Sequence, residues 1–121
     1  DGAKIGEASY IDFLKLAHTM EGIEDAVFIC VGSAITVPMV IEKAYAMAKN
    51  VARETGNNCS CYIVDLFSDD GEWSEGEPLP DSSSYYNRPM KTFKRMFPGR
   101  CKYMQLDNRQ LMYHLRNELW V

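Results

Sequence analysis

Positive charge is scarce in this chain. Its 13 lysines and arginines are outnumbered by 17 aspartates and glutamates, leaving a net charge of −4 over 121 residues. Proteins that wrap nucleic acid displace counterions with a basic surface, so no nucleic-acid partner is expected. Long apolar runs are missing too: no stretch approaches the roughly 20 residues that cross a bilayer. The opening "DGAKIGEASY" lacks the charged-then-apolar order of a signal peptide. No membrane partner is expected, and the chain reads as soluble and cytoplasmic. It opens at Asp1 rather than at a methionine, which reads as a processed product or as a piece of something longer. No internal repeat is visible.

Cysteine and histidine are also few. Cys30, Cys59, Cys61 and Cys101 all lie in or beside apolar, strand-like runs, the distribution of small buried hydrophobes. On a strand, Cys59 and Cys61 would point to one face, but no second pair or histidine cluster accompanies them, so no metal site is expected. The lack of an export signal argues against disulfides. His18 and His114 stand singly on predicted helices, without a metal or triad partner. The Ser82 to Ser84 cluster lacks a nucleophile-elbow context.

What is present suits one globular domain, since 46% of the residues are hydrophobic. In "SYIDFLKLAHTM", Ser9 and Asp12 read as a capping-box-like start, and Phe13, Leu16, Ala17 and Met20 fall on one helical face. "AVFICV" is continuously apolar and β-branched, as expected of a strand covered on both faces in the middle of a parallel sheet. Val37 precedes a proline, so the next helix is expected to start at Pro38, with Val40, Ile41, Ala44, Ala48, Val51 and Ala52 as its apolar stripe and Gly56 as its stop. "CSCYIVDL" reads as a second strand. A long acidic loop follows over 67–88, holding Trp73, Tyr85 and Tyr86; loops of this length are commonly functional or disordered. Met90, Phe93 and Phe97 define a short amphipathic helix, and "CKYMQL" a third strand. "DNRQLMYHLRNEL" closes the chain, with Asp107 and Gln110 spaced as a capping box and Leu111, Met112, Leu115 and Leu119 on the expected buried side.

Strands alternating with helices imply an α/β fold: a three-layer Rossmann-like parallel sheet with helices on both faces. Three strands make an undersized sheet. Either its edge pairs with another copy, as a homo-oligomer, or part of the fold is missing. In open parallel sheets ligands bind at the carboxyl edge, and the connections there carry Gly32, Ser33, Ala34 and Thr36, then the acidic loop, then Asp107 and Asn108. The small residues let backbone N–H groups and a helix N-terminus meet an anion, so a small-molecule ligand is the expected partner. A lone Gly-Ser-Ala turn is also what any sharp strand-to-helix turn needs, and the full Gly-x-Gly-x-x-Gly fingerprint is absent. Asp107 is either a helix cap, a ligand contact, or both. Arg88, Lys91, Lys94 and Arg95 balance the acidic loop, or Arg88 with Tyr85 and Tyr86 grips a phosphate or carboxylate.

At "KIGEASYIDFLKLA", "AVFICVGSAITVPMVIEKAYAMAKN" and "GRCKYMQLDNRQLMYHL" the chain resembles the carboxyl-terminal part of deoxyhypusine-synthase-like proteins, particularly bacterial relatives. The resemblance implies a Rossmann-like sheet of the NAD-binding type, assembled as an oligomer and lacking here its amino-terminal strands. It implies NAD or another nucleotide as cofactor, with Gly32, Ser33, Ala34 and Asp107 near it. One departure matters: those synthases place an imine-forming lysine in a Gly-Lys context, whereas this region reads "KRMFPGRCKYM", with Lys94 and Lys102 in other surroundings. Imine chemistry needs a desolvated lysine, so synthase activity is not expected. A nucleotide-binding domain and a non-catalytic structural or oligomerisation module are the two functions left open.

Overall fold

The computed structural model describes residues 1–33, 35–52, 54–56, 58–69, 80 and 87–119. The chain runs α1 (Gly2–Thr19), β1 (Val27–Val31), α2 (Thr36–Val51), β2 (Ser60–Asp65), α3 (Arg88–Met96), β3 (Cys101–Gln105) and α4 (Asn108–Leu119). It is an α/β fold with a three-stranded parallel sheet flanked by four helices, the layout of an incomplete Rossmann-like domain. Ala34, Trp73, Tyr85, Tyr86 and most of the acidic loop lie outside the described residues.

The strand order is β1-β2-β3, so β2 and not β1 is central. In β2, Cys61 and Ile63 are buried on one face and Val64 on the other. In β1 the alternate residues Val27, Ile29 and Val31 are 60%, 45% and 38% exposed. Apolar content misleads here because "VFICV" is the more hydrophobic run, yet the strand with neighbours on both sides is the one that reads "SCYIVD". The hydrogen bonds from Ser60 N–H to Ala26 O and from Gly32 N–H to Val64 O, both 2.9 Å, turn the even-numbered residues of β1 toward β2. Backbone groups of Val27, Ile29 and Val31 therefore point away from it, along the outer edge.

One face of the sheet carries the main core. Cys30, Cys61 and Ile63 meet Tyr45 of α2 and Met90 and Phe93 of α3, with Phe97 just beyond α3. Phe97 stacks on Phe28 at 5.3 Å. Phe93 is wholly buried, as the spacing of Met90, Phe93 and Phe97 predicts, and such a side chain contributes about 1.5–3 kcal/mol. A second cluster joins Ala17 and Met20, at the end of α1, to Ala44 and Ala48, with Phe13 and Leu16 packed against it. The alanines of α2 let the two helices approach closely.

Helix boundaries depart from the sequence reading for local reasons. Helix α1 begins at Gly2 because the Asp1 carboxylate accepts from Ala3 N–H (3.2 Å), which leaves Ser9 inside the helix rather than at its cap. Helix α2 begins at Thr36, two residues before Pro38. The Ser33 hydroxyl accepts from Val37 N–H (3.2 Å), and Pro38 falls in the first turn, where a missing N–H costs nothing. Helix α2 ends at Val51 with Ala52 extended, so Gly56 is not its stop, and Val51 is 73% exposed. In α4 only Leu111 is buried and Leu115 half-buried; Met112 and Leu119 are exposed.

Gly56 has a different task. Its φ is +77°, its N–H donates to Ile23 O (2.8 Å), and a β-carbon there would sit 2.6 Å from the Tyr45 hydroxyl oxygen. Tyr45 donates in turn to Thr55 O (3.2 Å), and the Thr55 hydroxyl donates to Met20 O. The substitution Gly56→Ala combines a left-handed backbone with displacement of a core ring. It is expected to lower unfolding free energy by about 2–4 kcal/mol in urea titrations, with the denaturant slope unchanged.

Candidate functional site at the carboxyl edge

Parallel pairing brings the turns after β1 and β3 to one end of the sheet. Gly32, with φ +62°, continues the ladder by donating to Val64 O, and Leu106 N–H donates to Asp65 O (3.0 Å). Gly32 and Leu106 thus flank the end of β2. Two strand spacings separate them, roughly 10 Å. Among the described residues nothing lies within 4 Å of a β-carbon built on Gly32, so there its glycine is required by the positive φ alone. Ser33 spends its hydroxyl oxygen on Val37 N–H. Arg88 is exposed at the first position of α3, where Asn87 caps the helix by accepting from Met90 N–H (3.1 Å). The buried Asn87 amide is also satisfied by donation to the Asp69 carboxylate.

Asp107 caps α4. Its carboxylate accepts from Arg109 N–H (2.8 Å), and its carbonyl accepts from Leu111 N–H (3.0 Å). The Arg109 guanidinium closes a fork on it, Nε to Oδ1 and Nη2 to Oδ2, both 3.1 Å. The Arg109 side chain, then its backbone N–H, hold the Asp107 carboxyl below the ordinary carboxylate range, and Asp107 raises Arg109 in return. Around this pair opens a shallow depression of about 600 Å³, lined among the described residues by Asp107, Arg109, Gln110, Tyr113 and His114. Tyr113 and His114 meet edge to face at 5.8 Å.

The middle of the edge is acidic. Asp65 closes β2 and accepts from Leu66 N–H (2.7 Å). Tyr103 donates to Phe67 O (2.7 Å), and Gln105 donates to Leu66 O (3.3 Å), which ties the start of the long loop to β3. Burial, then the charges of Asp65 and Asp69, push the Tyr103 phenol up to about 12.

Of the residues expected at the site, Asp107 lines the depression; Gly32, Ser33 and Arg88 do not, and Ala34 lies outside the described residues. Arg109, Tyr113 and His114 were not singled out as ligand contacts. Their signal is spacing: 107, 110 and 114, like 109 and 113, follow one another at helical intervals. The arrangement offers a guanidinium, an imidazole, a phenol ring and a helix N-terminus to one ligand. Among the described residues no group of three or more His, Cys, Asp or Glu side chains suits a metal ion, and no helix is long and apolar enough to cross a membrane. Neither protein-family models, nor curated proteins, nor solved structures give a match to the chain.

The Asp107 carboxyl is expected to titrate below the ordinary range when followed by carbon NMR, and Arg109→Ala to move it back up toward that range. Because the native value is depressed, the stability linked to Asp107 ionisation is fully present above the ordinary carboxylate range. It is lost as pH falls through the native value.

Proposed function

We propose that this chain is a nucleotide- or dinucleotide-binding domain of Rossmann-like type that takes its ligand at the carboxyl edge of the sheet. One observation carries the reading: the depression at the start of α4 gathers Arg109, Tyr113 and His114 beside a helix N-terminus, at the edge where open parallel sheets hold ligands. In this reading Arg109 and His114 meet phosphate oxygens, the Tyr113 ring offers the base a stacking face, and Asp107 accepts from ribose hydroxyls. The Gly32 turn, across the edge, receives the second half of a dinucleotide on its backbone. NAD is the first ligand to try, because the resemblance to deoxyhypusine-synthase-like proteins implies it.

Thermal-shift and calorimetric titrations with NAD, ATP and phosphosugars test the proposal. A ligand at a hundredfold excess over its dissociation constant stabilises by about 2.7 kcal/mol. Arg109→Ala is expected to weaken binding by about 1.5–3 kcal/mol, measured against the variant's own unliganded stability, which also lacks the Asp107 fork. A folded sample that responds to none of these ligands overturns the reading.

A second reading, a structural or oligomerisation module, is favoured by β1. Its outer backbone groups and the exposed side chains of Val27, Ile29 and Val31 together form an open, apolar edge of the kind that accepts another strand. Light scattering is then expected to report a dimer whose population rises with concentration and falls in Ile29→Lys. A monomer at every concentration sinks this second reading.

A further inference from the structure

Three of the four cysteines form a row across the sheet. Cys30 on β1, Cys61 on β2 and Cys101 on β3 project to the side covered by α2 and α3, because alternate residues share a face and the register sets Phe28 beside Cys61 and Cys61 beside Cys101. The Cys61 thiol stands between the other two and interacts electrostatically with both. Met90 Sδ lies 3.9 Å from Cys101 Sγ. Burial of small hydrophobes explains each cysteine singly, but it does not require that they fall on neighbouring strands and one face.

The three thiols differ in access and in charge preference. Cys61 is fully buried and Cys30 is 8% exposed, whereas Cys101, on an edge strand, is half-buried. The Cys101 and Cys30 thiols, with burial, push the Cys61 thiol up, which keeps it protonated in the reduced chain. The Cys61 thiol lowers Cys101 against burial and Cys30, which raise it, with a smaller lowering from the Lys94 ammonium on α3; Cys61 lowers Cys30 as well. The most exposed of these three cysteines is therefore also one whose thiolate is favoured.

The register also selects a bonding partner. Cys61 and Cys101 are lateral neighbours, so their Cα atoms stand at roughly the 4.8 Å spacing of adjacent strands, inside the window of about 4.4–6.8 Å that a disulfide needs. The lateral neighbour of Cys30 is Ile63, which leaves Cys61 diagonal to it at about 7–8 Å, beyond that window.

We propose that Cys101 is a hydroperoxide-reactive thiol and Cys61 its resolving partner, closing a disulfide that ties β2 to the edge strand β3. The Cys101 thiolate attacks one peroxide oxygen. The O–O bond breaks, the leaving hydroxide takes a proton to become water, and the sulfur becomes a sulfenic acid. With Cys101 no longer a thiolate, the largest influence holding the Cys61 proton is gone, and the Cys61 thiol gives up that proton as its sulfur attacks the sulfenic sulfur. The S–O bond breaks, and hydroxide leaves as water with the Cys61 proton. Two thiols and one hydrogen peroxide thus give one disulfide and two waters.

The test is peptide mapping of the reduced chain after one equivalent of hydrogen peroxide. The expected product is a Cys61–Cys101 linked peptide within one chain, lighter by two hydrogens. In Cys61→Ala the sulfenic acid on Cys101 is expected to persist and to be trapped by dimedone. Should that core variant fail to fold, alkylation of the native chain supplies the second measurement, with Cys101 modified about tenfold or more faster than Cys30 and Cys59. A Cys30–Cys61 bond, cross-linking only between chains, or a Cys101 no faster than the buried thiols overturns the proposal.

Discussion

Two backbone hydrogen bonds extend the parallel pairing one residue beyond the strands, from Gly32 N–H to Val64 O and from Leu106 N–H to Asp65 O. Through them the carboxyl end of β2 positions both flanking turns, and with them the Gly32 surface and the Asp107 cap. Strand β2 can bear this role because it is anchored on both faces, by Cys61 and Ile63 in the main core and by Val64 opposite. A defect in the core beneath β2 therefore reaches the candidate site without touching any residue that lines it.

The amino-terminal end of β2 is held by a different device. Thr55, Gly56 and Tyr45 form a short polar seam: Thr55 reaches Met20 O, Gly56 reaches Ile23 O, and Tyr45 reaches Thr55 O. Each buried donor finds a carbonyl, so the seam avoids the penalty of an unpaired polar group while fixing where α1 ends relative to where β2 begins. The alanine contacts between α1 and α2 set distance but slide easily; the seam sets register. In this way α1, which is wholly exposed through its first turns, is still tied to the sheet.

Legibility in the sequence followed the range of the interaction. The buried stripes of α1 and α3 were readable because Phe13, Leu16, Ala17, Met20 and Met90, Phe93, Phe97 repeat at helical spacing. The cap at Asp107 was readable because a cap involves only the next few residues. Strand order was not, since hydrophobicity does not say which strand gains neighbours on both sides, and "VFICV" outscores the strand that does. The Ser9 reading failed because serine suits a cap and is tolerated within a helix, and Asp1 supplied an earlier start. The depression on α4 was hidden for a related reason: Arg109, Tyr113 and His114 also spell an ordinary solvated helix face. Only the placement of that face at the carboxyl edge distinguishes it.

Charge divides that edge and limits how a ligand can lie on it. Asp65 and Asp69 make the centre negative enough to add to the burial that raises the Tyr103 phenol, while the Arg109 guanidinium and the start of α4 stand to one side and the start of α2 to the other. Phosphates placed over the centre would face two carboxylates in a partly desolvated setting, where repulsion is least screened. In the proposed binding mode the phosphates therefore keep to the helix N-termini on the flanks, and a neutral or hydroxyl-bearing part of the ligand crosses the middle. A dinucleotide joined through its pyrophosphate has to shift that group off the centre line toward α2 or α4. A mononucleotide seated wholly on the α4 side meets no such conflict, which makes that side the stronger half of the candidate site.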